Sequence, residues 1–110
     1  MNRLKSEIWV QALLRRAEVA GVMGGVVRKG DTDAGAVLVQ VMLLDGTGYL
    51  YVPARDFEGD RIWIRPLGTE PVSEADIAQY TGKRLDDDPD IWVVEIEDPK
   101  GRHFLTEPVE

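Results

Sequence analysis

The sequence predicts an α+β domain: a helix, several antiparallel strands, a second helix and a closing hairpin. Three observations predict it. Val10, Leu13, Leu14 and Ala17 recur at helical spacing. Gly35 to Leu44 is an almost unbroken, valine-rich apolar run of strand length. Arg61-Ile62-Trp63-Ile64-Arg65 alternates with period two. At 110 residues, 44% hydrophobic and 30% charged, the chain suits a single domain over residues 1–110 with one core.

The first helix is expected from Glu7 to about Ala20, with Ser6 as its cap and Gly21 as its stop. Its polar strip of Glu7, Gln11, Arg15 and Glu18 is narrow, and Ile8, Ala12 and Val19 form a second apolar edge beyond it. Such a helix wants covering on more than one side, either within its own domain or by a second copy of the chain. Val22 to Lys29 reads as a strand in which Gly24-Gly25 marks a bulge or a close backbone approach. After a turn at Gly30-Asp31-Thr32-Asp33, Gly35 to Leu44 is the central strand and the best core candidate. Asp45-Gly46 signals a tight hairpin returning through Gly48 to Val52, because glycine supplies the positive φ the turn needs.

The alternation from Arg61 to Arg65 puts Ile62 and Ile64 on one face and Trp63 with both arginines on the other, and Pro66 ends that strand. Ser73 caps a second helix whose inner face carries Ile77, Tyr80 and Leu85. Ile91 to Asp98 is a strand with Trp92, Val94 and Ile96 pointing inward. Pro99-Lys100-Gly101 then reads as a three-residue hairpin loop, which would set Ile96 opposite Phe104 and Glu97 opposite His103. The tail from Thr106 to Glu110 is expected to fray. About five strands and two helices result.

Composition excludes several chemistries. Zero cysteines rule out disulfides, thiolate metal sites and a cysteine nucleophile. The residues from Met1 to Glu7 carry no signal-peptide pattern, and no apolar run approaches a membrane span, so a cytoplasmic location and no membrane partner are expected. A net charge of −7 opposes attraction to polynucleotides. That charge is uneven, at +2 from Met1 to Arg55 and −9 from Asp56 to Glu110.

Several blocks carry a resemblance. Leu4-Lys5-Ser6-Glu7-Ile8-Trp9-Val10 with Leu14-Arg15-Arg16, Ala34-Gly35-Ala36, Leu44-Asp45-Gly46 with Leu50-Tyr51, Asp88-Pro89-Asp90-Ile91-Trp92-Val93-Val94-Glu95, and Gly101-Arg102-His103-Phe104-Leu105 stand in one order along the chain. In these the sequence resembles the bacterial domain-of-unknown-function 1491 family. The resemblance implies no activity, cofactor or substrate. Arg15, Arg16, Asp90 and His103 lie in the matching blocks, whereas Pro53 to Thr81 holds none of them.

Candidate chemistries are few. Asp86, Asp88 and Asp90 with Glu97 fall at calcium-loop positions, but Ile91 replaces the required glycine and Pro89 sits in the bend. An extended Ile91 to Glu97 would also carry Glu97 about 20 Å away. His103 opposite Glu97 reads first as a cross-strand pair and second as an oriented general base. Gly21 to Gly30 has no glycine-lysine followed by serine or threonine, and no helix, as a phosphate loop requires. Tyr49, Tyr51, Arg61, Trp63 and Arg65 could interleave aromatics with arginines as an interaction surface. Alternatively Trp63 packs under a helix and its arginines reach outward. The expectation is a non-catalytic protein–protein interaction module with no cofactor, partnered by another protein and able to self-associate through its first helix. The alternatives are a small hydrolase or metal-dependent enzyme built on His103, Glu97, Asp88 and Asp90, and a single-stranded nucleic-acid binder using Trp63, Arg61 and Arg65.

Overall fold

The computed structural model describes residues 4–110; Met1, Asn2 and Arg3 of the opening segment lie outside the described residues. The elements run α1 (Ser6–Val19), β1 (Met23–Arg28), β2 (Val37–Met42), β3 (Thr47–Arg55), β4 (Arg61–Ile64), β5 (Val72–Ser73), α2 (Glu74–Asp87) and β6 (Trp92–Glu97). They form the expected α+β domain around one mostly antiparallel sheet of order β1-β6-β2-β3-β4, with β5 pairing the start of β3.

The helices lie on opposite faces of the sheet, and strand alternation sorts the core into two clusters. Val37, Val39 and Val41 of β2 join Trp92, Val94 and Ile96 of β6 beneath Trp9, Val10, Leu13 and Ala17 of α1. Leu38 and Met42 point the other way, with Leu50, Val52 and Val93, beneath Ile77 of α2. This two-sided burial is why β2 is almost continuously apolar. The residue of β2 that breaks the run, Gln40, donates to Glu95 Oε1 at 2.8 Å on the neighbouring strand.

β6 does not enter a hairpin with the residues that follow it. It is inserted between β1, which it pairs antiparallel, and β2, which it pairs parallel over Val37↔Trp92 to Met42↔Glu97. Both of its edges are therefore occupied, and no place remains for a returning strand. The expected pairings Ile96–Phe104 and Glu97–His103 do not form; Glu97 lies beside Met23 instead. Gly101 does take the anticipated positive φ of 71°, but in a turn that sends the chain across the α1 face. The tail is not frayed either: Trp63 N–H donates to the Pro108 carbonyl at 2.8 Å and Glu110 N–H to the Trp63 carbonyl at 2.7 Å. The free edge of β4 supplies those bonds.

Two local readings change in detail. Ser6 is the first residue of α1 rather than its cap, and its hydroxyl donates to the Gly35 carbonyl at 2.6 Å. The carbonyls of Asp33 and Thr32 accept the free N–H groups of Ser6 and Glu7, so backbone does the capping. The β2–β3 turn is Leu44-Asp45-Gly46, one residue longer than a two-residue hairpin, with Leu44 at φ 65° and Gly46 at 89°. Asp45 holds it by accepting from Thr47 N–H and the Thr47 hydroxyl, which draws its carboxyl below the usual carboxylate range. Ser73 caps α2 as expected, accepting from Asp76 N–H.

Glycine is required where loops meet the start of β6. A Cβ on Gly35 would collide with the Asp90 carbonyl and sit 3.0 Å from the Asp31 backbone. Gly35→Ala is therefore expected to lose about 1–3 kcal/mol through forced backbone displacement, read as a shift of the urea midpoint at unchanged slope. Gly25→Ala, whose Cβ meets nothing within 4 Å, is the matched control.

Candidate functional site

The structure brings several of the sequence-derived residues together, though not as an open aromatic surface. Tyr49, Tyr51 and Trp63 do point to the same side of the sheet, as an interleaved surface requires. That side lies under α1. Trp63 has no exposed surface and stacks on Trp9 at 5.3 Å between ring centroids, and its Nε1 donates to Glu107 at 2.9 Å. Tyr51 is buried as well, and half-buried Tyr49 packs against Gly101. Arg61 lines a small recess with Trp9, Asp33 and Pro53. The arrangement is the alternative in which Trp63 sits under a helix, so the three rings present no stacking platform to a partner.

Four candidate residues form a connected cluster instead. Arg16 on α1 reaches across with Nε to donate to the Phe104 carbonyl at 2.9 Å. Next to it in the chain, His103 packs edge-on against Tyr51 of β3 at 5.1 Å. Arg65, just past β4, lies beside both: its charge lowers the His103 pKa, secondary to burial, and it opposes the effect of burial that raises the Tyr51 pKa. His103 Nδ1 accepts the Leu105 N–H at 2.9 Å, which assigns the proton of the neutral ring to Nε2. Phe104 carries a φ of 60°, uncommon for a side-chain-bearing residue, and this turns its carbonyl toward Arg16.

The remaining candidates lie elsewhere. Asp88 closes α2 and accepts the Asp90 N–H, while the Asp90 carbonyl accepts from Asp31 N–H. Glu97 sits at the far end of β6. His103, Glu97, Asp88 and Asp90 thus do not assemble into one catalytic group, and among the described residues no three histidines or carboxylates gather around a common metal position. Arg15 pairs with Glu18 at 2.6 Å on the outer face of α1. There they border an open groove of about 670 Å³ between α1 and β1, lined also by Gln11, Leu14, Val22 and Met23.

One organising residue escaped the sequence reading. Asp98 is 3% exposed, and its carboxylate accepts from Lys100 N–H, Arg102 N–H and Arg102 Nε, the last at 2.7 Å. The Arg102 bond and the two amides hold its pKa down at about 2. Asp-Pro-Lys-Gly is a turn signature that could have revealed it; nothing in the sequence marks the strain at Phe104.

Comparison with known proteins extends the family resemblance through the stretch from Pro53 to Thr81. The family described as "Protein of unknown function (DUF1491)" matches residues 4–106. The chain belongs to this family. A DUF1491 crystal structure from Caulobacter crescentus CB15 is 50% identical, with a TM-score of 0.89 over 98% of this chain and 100% of that one. An NMR structure of a DUF1491 protein from the same organism is 50% identical, with a TM-score of 0.87 over 100% and 99%. The solution structure of protein Atu0922 from A. tumefaciens is 35% identical, with a TM-score of 0.81 over 99% and 98%. No curated protein matches the chain. DUF1491 membership thus accounts for the fold and leaves the chemistry to be argued from the residues.

Proposed function

We propose that this DUF1491 chain is a non-catalytic protein–protein interaction module of the bacterial cytoplasm, and that it docks its partner along β1. The observation that carries the reading is the condition of that strand. β1 ends the sheet, no described strand pairs its outer side, and Met23, Val26 and Val27 are exposed along it, Met23 by 73%. Apolar side chains on an unpaired edge are what an incoming extended segment uses: main-chain bonds give affinity and alternate side chains give selectivity.

The α1–β1 groove adjoins this edge, with Leu14 on its floor and Arg15 and Glu18 on its rim. It exists because Gly24 lets the strand approach α1: a Cβ there would meet Leu14 at 2.9 Å. The bulge between Val26 and Arg28 limits regular pairing to Met23 through Val26. A short segment of about four residues therefore fits better than a long sheet extension.

Met23→Lys, placed on an exposed position of the edge, is expected to leave the melting temperature within about 2 °C and to lower partner capture at least tenfold. Tagged wild-type and variant proteins captured from the native cell and compared by quantitative mass spectrometry would read this. Equal recovery of every partner by both would sink the docking reading. Ile8 and Val19 on the outer edge of α1 are 48% and 74% exposed, which supports self-association through the helix as a second reading. Light scattering of wild type against Val19→Asp tests it, and a monomer at all concentrations overturns it.

A further inference from the structure

We infer that Arg16, Arg65, His103 and Tyr51 form a binding site for a phosphate-type oxyanion. Arg16 Nη2 and Arg65 Nε are enclosed by protein and have no hydrogen-bond partner. Neither arginine forms an ion pair with a described carboxylate, although the chain has 20 acidic residues against 13 basic ones. Two guanidinium groups with enclosed, unsatisfied N–H donors are expensive unless an acceptor completes them.

The neighbours supply donors rather than acceptors. With Nδ1 occupied by Leu105 N–H, His103 presents Nε2–H. The Tyr51 oxygen takes a hydrogen bond from Arg65, and because burial opposes its ionisation the hydroxyl keeps its own proton to donate. The Phe104 carbonyl is taken by Arg16 Nε, and the Tyr51 oxygen faces the Arg65 guanidinium. Cationic and neutral donors thus stand in excess in one place, which is the composition of an oxyanion site.

Geometry selects the class of anion. The donors come from four separate parts of the fold: α1, β3, the end of β4 and the segment after the Asp98 turn. A planar carboxylate is matched by one guanidinium face, whereas donors from several elements suit an anion with oxygens in more than one plane. Arg16, Arg65, His103 and Phe104 are each only half-buried as whole residues, so the cluster reaches the surface although its unpaired nitrogens do not. The positive φ of Phe104 fits this role, since strained backbone concentrates where a binding geometry must be held.

The test is titration of the full chain with inorganic phosphate at constant ionic strength, balanced with sodium chloride and followed by ¹H–¹⁵N spectra and thermal melting. Saturable shifts confined to the amides of His103, Phe104 and Leu105 and to the arginine Nε–H signals are expected, with a saturable rise in melting temperature. Arg65→Gln should weaken the apparent affinity at least about tenfold, the loss of one charged hydrogen bond, while Arg15→Gln leaves it unchanged. Phenyl phosphate run in parallel separates a free anion from a phosphate ester, and acetate should bind weakly. Should Arg65→Gln fail to fold, Arg16→Lys takes its place. A response that never saturates, or equal stabilisation of both variants, would identify general salt exclusion and overturn the assignment.

Discussion

Trp63→Ala is expected to destabilise the protein by about 3–5 kcal/mol, the range for removing a large buried aromatic from a core. In a domain of this size that is a fall in melting temperature of roughly 15 °C or more. Three losses combine. The indole is fully buried, its stack on Trp9 ties β4 to α1, and its Nε1 bond anchors Glu107. The same residue's backbone holds Pro108 and Glu110, so loosening β4 should also release the tail. Thermal unfolding by circular dichroism reads the first effect, and amide exchange of Val109 and Glu110 reads the second. A variant with wild-type stability would contradict the burial of Trp63; a melt lowered without faster exchange of the tail would separate the packing from the anchoring.

Asp98→Asn is expected to lose about 2 kcal/mol at neutral pH, comparable to the free energy implied by a carboxyl held at about 2 instead of its ordinary value near 3.8. The sign follows from the direction of the shift. A depressed pKa means the folded protein prefers the carboxylate, so the contribution is complete above pH 4 or so and is lost as pH falls through about 2. Wild type and Asp98→Asn should therefore differ most at neutral pH and converge on acidification. An amide cannot reproduce the pattern, because Asp98 uses both oxygens as acceptors and the amide offers one. Urea unfolding of both proteins between pH 2 and 7 measures the gap; a gap independent of pH would assign the stabilisation to the turn's shape alone.

Much of the fold is legible in the residues, and what is not has a common cause. Val10, Leu13 and Ala17 mark the buried stripe of α1, Gly21 marks its end with a φ of 77°, and the Val37–Met42 run marks a strand covered on both faces. Those are local facts, written within a turn or a strand. Alternation in Trp92–Glu97 reveals which residues face inward and nothing about which strands lie alongside, so a plausible hairpin stood in for insertion between β1 and β2. The same limit governs the candidate site. Arg16 and His103 stand in recognisable blocks, yet their meeting through Phe104 spans 88 residues of sequence from Arg16. Trp63 alternates correctly with its neighbours, and only the placement of α1 decides that its face is interior.

The insertion of β6 also sets an order on how the molecule can come into being. β1 and β2 are adjacent in the chain but are joined in the sheet only through a strand made more than sixty residues after β1 begins. Until Trp92–Glu97 has emerged from the ribosome, α1 lacks the Trp92, Val94 and Ile96 surface it packs on, and β1 has no strand to pair with. Pairings of such sequence separation are slow to find because chain entropy must be spent before they give anything back. The β2–β3–β4 meander can assemble early; the edge bearing Met23 and Val26 must wait. The nascent chain therefore carries an unfinished sheet while residues 56–97 are being made, and its solubility in that interval falls to its charges rather than its core.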